Sequence, residues 1–166
     1  MLNPPPLNPE IIFRAFQDVG FALWQIQELE TTLAHYLVIV HKVEPGIAID
    51  VAEGILEKTR KKTLGQLVSE LKSKEEVPKA LLERLEGFVE HRNWLAHRSR
   101  GESRKHLYQE TLHHVFFDRV GWIAEEALSL GKAFCEEITT FVKRHGVSEE
   151  YIQRTAAGIM RAWSEG

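Results

Sequence analysis

The most strongly patterned segment of the chain is PKALLERLEGFVEHRNWLAHR, residues 78–98. Taken as an α-helix, with about 100° between successive residues, it carries an apolar stripe centred on Leu85. The stripe, roughly 80° to either side of that centre, holds Leu81, Leu82, Leu85, Phe88, Val89, Leu95 and Ala96. A stripe of this width predicts a helix that packs one face against a hydrophobic core.

The same helical spacing runs through most of the chain. Asn8, Pro9 and Glu10 are typical of a helix start, with an N-cap, a first-turn proline and an acid near the positive helix end. Helices are expected, in chain order, at residues 9–43, 47–59, 63–72, 78–98, 107–145 and 148–163. No segment alternates in the manner of a β-strand. We therefore expect an all-α antiparallel bundle with two long helices and shorter ones, forming one domain over 9–166 after a Pro-rich flexible leader at 1–8.

Three boundaries rest on particular residues. The run Ser73-Lys74-Glu75-Glu76 reads as a capping box that opens the patterned helix. The charged run 98–105, RSRGESRK, predicts a break in the helix around Gly101. The long helix that follows contains Gly121 and Gly131, and either glycine could interrupt it.

Composition narrows the function classes. The chain has 166 residues, of which 43% are hydrophobic, so it can bury one sizeable core. Cys135 is its only cysteine, which excludes an internal disulfide and favours a reducing, intracellular setting. No apolar run approaches the ~20 residues that a membrane helix needs, so we expect a cytoplasmic protein without membrane attachment. The net charge of −3, from 21 basic and 24 acidic residues, argues against a basic coat for nucleic acid. Any RNA site must therefore be local.

Arg92 departs from the helical pattern, because it lies only about 20° from the centre of the apolar stripe. A buried charge without a partner is costly, so this side chain must reach solvent, pair with a carboxylate or face a wet crevice. Local rules broken inside a consistent helix are typical of functional sites. The structural alternative is a salt bridge to a glutamate on a neighbouring helix.

Two further polar residues adjoin this arginine. Asn93 and His97 are four residues apart, at about 80° and 120° from the stripe centre, so they share one flank of the helix. His97 lies in the last turn, where unpaired carbonyl groups favour the imidazolium form. Glu86 and Glu90 are close enough to hold its ring by a hydrogen bond.

Basic residues follow the histidine. Arg98, Arg100, Arg104 and Lys105 are opposed only by Glu102. They form either the local patch that RNA phosphates require or an ordinary solvated loop.

Trp94 points about 180° from the stripe centre. Such a side chain packs on another helix, lies in a dimer interface or stacks on a base, and we favour packing.

The residues EHRNWLAHR, 90–98, resemble the R-N-x-x-x-H signature of HEPN domains, with four residues between Arg92 and His97. Many HEPN proteins are metal-independent endoribonucleases, often toxins or phage-defence effectors, and act as dimers whose motif helices face each other. The resemblance implies that Arg92 stabilises charge on the scissile phosphate, that His97 is the general acid or base, and that Asn93 orients one or the other. The implied products are a 2′,3′-cyclic phosphate and a 5′-hydroxyl, formed without a cofactor. In the subset paired with a nucleotidyltransferase antitoxin, a modified tyrosine lies two residues after the histidine, whereas this chain has Ser99.

Other interpretations stay open. Some HEPN proteins only bind RNA or nucleotides, so a non-catalytic bundle that binds RNA, a nucleotide or a protein partner such as an antitoxin is the main alternative. A subunit of a larger assembly is another. Glu110 and His113 have the Glu-x-x-His spacing of di-iron bundles, but the chain lacks a second copy, so we expect no metal.

Overall fold

A computed structural model describes residues 7–44, 46–74 and 76–165. It is all-α, which confirms the expected helical bundle with two long helices. The α-helices are α1 (Pro9–Tyr36), α2 (Ile49–Arg60), α3 (Leu64–Leu71), α4 (Lys79–Asn93), α5 (Ser99–Glu102), α6 (Arg104–Tyr108), α7 (His113–Arg144) and α8 (Glu149–Glu165). Two π-helical segments, Leu37–Lys42 and Trp94–Arg98, extend α1 and α4, and a short 3₁₀ turn, Glu110–Leu112, precedes α7.

The two long helices, α1 and α7, pack along each other and form the centre of the core. They run in the same direction. The Arg14 guanidinium lies 4.0 Å from the Phe117 ring centre near both N-termini, and the Tyr36 and Phe134 rings are 5.1 Å apart nearer the other ends. The five helices between them return the chain to the end where α1 begins.

Helix α4 is the antiparallel member of the bundle. Arg84, near its start, donates to Glu126 of α7 over 2.9 Å. Trp94, directly after α4, lies under the guanidinium of Arg119, 3.6 Å from its carbon to the indole ring centre. α4 is therefore antiparallel to α7, whereas the two long helices, α1 and α7, are parallel to each other.

Most helix ends follow the sequence. The Asn8 side chain accepts from the Glu10 N–H over 2.9 Å, and Thr63 forms a reciprocal capping box with Gln66. Gly146, with φ of 86°, ends the segment after α7 in the left-handed conformation that glycine tolerates.

The capping box expected at Ser73 is wrong. α4 begins at Lys79 after Pro78 and has no side-chain cap, whereas the Ser73 hydroxyl donates back to the Glu70 carbonyl at the end of α3. Glu75 lies outside the described residues, as does the leader apart from Leu7 and Asn8.

The break expected at residues 98–105 lies at Ser103, two residues after Gly101, which is itself helical. α5 ends at Glu102 and α6 begins at Arg104, and the buried Ser103 between them has φ of −93° and ψ of 4°. The extended residue is Gln109, with φ of −107° and ψ of 110°. α7 then continues through Gly121 and Gly131 without interruption.

The last helix, α8, buries none of its residues, all of which are described. Among the described helices, none combines the length and the apolar character that crossing a lipid bilayer would demand.

Candidate functional site

The candidate site lies where α4 changes from α to π geometry. The Ser99 N–H reaches back five residues to the Trp94 carbonyl, and its hydroxyl donates to the Leu95 carbonyl over 2.7 Å. This wider turn shifts the later residues around the helix axis. Leu95 stays buried as expected, but Ala96, assigned to the apolar stripe, is exposed because of that shift.

Arg92 is held by an acid of its own chain. Its Nη2 donates to Glu30 Oε1 of α1 over 3.2 Å, and its Nη1 lies 3.5 Å from Asn93 Oδ1. About a fifth of each partner stays accessible, with 23% of the Arg92 and 22% of the Glu30 side chain exposed. The carboxylate pairing is thus one of the outcomes that the sequence left open, and it fixes the guanidinium beside Asn93.

Asn93 and His97 line one open groove, as their spacing predicts. The groove has a volume of about 660 Å³, and its other walls are Glu86, Val89, Glu90 and Arg98. Both residues are exposed. The Asn93 amide, the His97 imidazole and the Arg98 guanidinium therefore face the same open groove. Arg92, paired with Glu30, lies next to it.

The two glutamates of the groove bind cations. Glu86 Oε1 pairs with Lys72 Nζ over 2.7 Å, and Glu90 Oε1 pairs with Arg98 Nη2 over 3.4 Å. In the described chain neither carboxylate forms a hydrogen bond with His97. The groove rim is thus a set of ion pairs that neutralises part of its own charge.

The basic residues separate into two sets. Arg98 lies in the groove and also approaches Glu102 at 3.8 Å. Arg100, Arg104 and Lys105 are exposed on α5 and α6, beyond the groove. Only Arg98 therefore shares a surface with His97, and the other three extend the basic surface along the chain.

The opposite flank of the same helix is packed. Trp94 is 2% exposed, which confirms that it packs on another helix, and its ring centre lies 6.4 Å from that of Phe116. His91 lies 4.5 Å from Trp122, ring centre to ring centre. Burial, and secondly the charge of Arg119, lower the pKa of His91 below its usual value.

Two partners in this region were not found from the sequence. Glu30 on α1 lies 62 positions from its partner Arg92. Arg119 on α7 lies 25 positions from Trp94. Nothing in a single sequence selects these two residues from the other charged residues. Only the packing of α4 against α7 and the reach of the Arg92 side chain to α1 bring these charges together.

In the described ranges, no group of three His, Cys, Asp or Glu side chains is placed to hold a metal ion. Comparison of the chain with protein-family models, with curated proteins and with solved structures finds no match.

Proposed function

We propose that this protein is a metal-independent endoribonuclease of the HEPN type, acting as a homodimer in toxin or phage-defence roles. The observation that carries the proposal is the shared groove of Asn93, His97 and Arg98, with the Arg92 guanidinium 3.5 Å from Asn93. This set combines an acid–base group with fixed positive charge, the two requirements for cleaving RNA at its own 2′-hydroxyl.

The reaction can be written with these side chains alone. One imidazole, His97, accepts the proton of the 2′-hydroxyl while that oxygen attacks the phosphorus atom. The bond from phosphorus to the 5′-oxygen breaks, and the protonated His97 of the partner subunit supplies the proton that the leaving oxygen takes. The products are a 2′,3′-cyclic phosphate and a 5′-hydroxyl.

The arginines would act on the phosphate. Arg92 has five N–H donors, and its bond to Glu30 uses one of them while holding the plane of the guanidinium. Its remaining donors, together with Arg98, are suited to the charge that develops on the phosphate oxygens. Asn93 would orient the phosphate or the Arg92 side chain.

The test is cleavage of RNA in the presence of EDTA. We expect Arg92→Ala, Asn93→Ala and His97→Ala each to lower the cleavage rate, by about a hundred-fold or more for the histidine. His145→Ala, at an exposed position after α7, is the matched control and should cleave as the wild type does. A purified wild type that cuts no RNA and does not slow cell growth would contradict the enzymatic function.

The Arg92–Glu30 pair favours a second candidate, a non-catalytic bundle that binds RNA, a nucleotide or a regulatory protein such as an antitoxin. A guanidinium already neutralised by a carboxylate supports structure as readily as catalysis. In this case the wild type would shift the mobility of RNA without cutting it, and Arg98→Ala would weaken that binding while His97→Ala would not.

A further inference from the structure

One side of α1 is covered with exposed aromatic rings. The exposed fractions are 63% for Phe13, 73% for Phe16, 59% for Phe21 and 66% for Trp24. We call these four residues the α1 aromatic face. It lies opposite the buried side of the helix, where Ala22, Ile26 and Leu29 contact the core, and no element in the described ranges covers it. Isolated exposed apolar residues are ordinary, but four large rings within twelve residues of one helix mark an interaction surface.

The Arg92–Glu30 pair links the helix that carries the aromatic face to the helix that carries the groove. One line of residues along α1 has steps of seven, from Phe16 to Leu23 and from Leu23 to Glu30. Each step turns this line by about 20° around the helix axis. Glu30 at one end of this line pairs with Arg92, and Phe16 at the other belongs to the aromatic face.

The groove and the aromatic face are both turned away from α7. On α4, the residues that contact α7 include Phe88 and His91, and Asn93 lies on the opposite side of that helix. The aromatic face likewise points away from the α7-facing side of α1.

We propose that the α1 aromatic face binds a second copy of this chain. A buried aromatic side chain covers about 150–250 Å². At the exposures given above, the four rings and Leu23 offer roughly 500 Å² per copy, or about 1,000 Å² over two copies, which is near the lower limit for a specific interface.

The spacing of the face suits a twofold axis. Gly20 lies at its centre, and apart from its chain neighbours and the adjacent backbone of α1, no described atom is within 4 Å of the position that a Cβ would occupy there. Phe16 and Trp24 are each four residues from Gly20. If two α1 helices cross in opposite directions at Gly20, Phe16 packs against Trp24 of the partner subunit, and the glycines let the backbones approach closely.

This arrangement has a consequence for the groove. A twofold axis perpendicular to two antiparallel α1 helices places both copies of α4 on the same side of the dimer, with their Asn93 and His97 flanks turned toward the interface. The inference rests on the proposed ribonuclease only for what the two grooves do together. The contact between the aromatic faces stands on exposure, area and spacing alone.

The test is sedimentation equilibrium of the full chain over a range of concentrations. We expect a wild-type dimer, and an affinity weaker by about a hundred-fold or more in the double variant Phe16→Glu, Trp24→Glu. Trp163→Glu is the matched control, because this ring is 80% exposed on α8, and it should dimerise as the wild type does. Circular dichroism must show unchanged helicity in both variants.

A second variant keeps the test independent of the added charges. Gly20→Leu adds apolar surface but separates the two backbones, and the open space at this position lets the monomer accept it. We expect weaker dimerisation in this variant. A wild type that stays monomeric, a double variant that stays dimeric or an equal loss in Trp163→Glu would overturn the proposal, as would capture of a monomeric wild type by phospholipid vesicles.

The outcomes separate this inference from the proposed function. A wild-type dimer that loses its partner in the double variant but cuts no RNA supports the interface and contradicts the ribonuclease. A wild-type dimer that keeps its partner in the double variant and cuts RNA, with a rate that falls in His97→Ala, contradicts the interface and supports the ribonuclease.

Discussion

The two flanks of α4 and its π-helical extension have opposite surroundings. On one flank, Trp94 is enclosed by α7 and covered by the Arg119 guanidinium. On the other, Asn93 and His97 face an open groove whose charged walls are paired with each other. Arg92 lies between the flanks and connects α4 to α1. One helix thus has a packed flank that holds it in the bundle and an open flank that faces the groove. Substitutions can therefore be made on one flank without changing the other.

The largest effect should come from the packed flank. Trp94→Ala removes a fully enclosed indole and leaves a cavity, so we expect a loss of about 3–5 kcal/mol in the free energy of unfolding. Urea denaturation followed by circular dichroism measures this loss. Trp163→Ala, at a ring that is 80% exposed, should change it by about 0.5 kcal/mol or less. Equal losses in the two variants would show that Trp94 is not enclosed.

The next largest effect on the free energy of unfolding should come from the Arg92–Glu30 pair, which lies between the two flanks. Arg92→Ala leaves the Glu30 carboxylate partly buried without its cation, and Glu30→Gln removes the opposite charge. Because both side chains keep about a fifth of their exposure, we expect each change to cost about 1 kcal/mol. A double-mutant cycle with the two variants should show coupling. Additive losses would mean that the ion pair contributes nothing.

A smaller effect should appear as a pH dependence of the packed flank. Because the folded protein holds the pKa of His91 below its usual value of 6.5, the unfolded chain binds that proton first as the pH falls. The contribution to stability is therefore complete above about pH 6.5 and decreases below it. Thermal unfolding at pH 7.5 and 5.5 should show a smaller acid-induced loss in His91→Gln than in the wild type.

A control for this prediction is present in the same chain. The pKa of His41 is also lowered, by burial and by Lys74, so the His91→Gln variant should retain the part of the acid-induced loss that comes from His41. An identical loss in wild type and His91→Gln would contradict the assignment.

The open flank should give the smallest effect on stability. Asn93→Ala and His97→Ala remove exposed side chains, so we expect the free energy of unfolding to stay within about 0.5 kcal/mol of the wild type. The same variants should lose RNA cleavage. A large destabilisation in His97→Ala would place this residue among the structural ones and remove the contrast between the flanks.

The sequence predicted what local periodicity controls. The bundle, the first helix with its Asn8 cap, the helix predicted at 63–72 and the end of the long helix near residue 145 all follow from spacing and turn chemistry. The grouping of Asn93 with His97 follows from their four-residue separation. These features depend on residues close together in the chain.

The features that the sequence did not predict depend on contacts between residues that are far apart in the chain. The charged run breaks at Ser103, which is buried, and not at Gly101, although glycine is the more typical residue for a break. The π turn at Trp94–Arg98 moves Ala96 out of the stripe, and no residue pattern in the sequence indicates that turn. The selection of Glu30 as the partner of Arg92 is of the same kind. Neither helix propensity nor the spacing of apolar residues indicates these contacts.

The shared direction of α1 and α7 has a consequence for how the protein is made. Their contacts, such as Arg14 with Phe117, join positions about one hundred residues apart, so the central pairing has high contact order. During synthesis the inner side of α1 has no α7 to bury against until the ribosome has released the chain through Arg144. A nascent or prematurely terminated chain therefore displays that apolar side to chaperones.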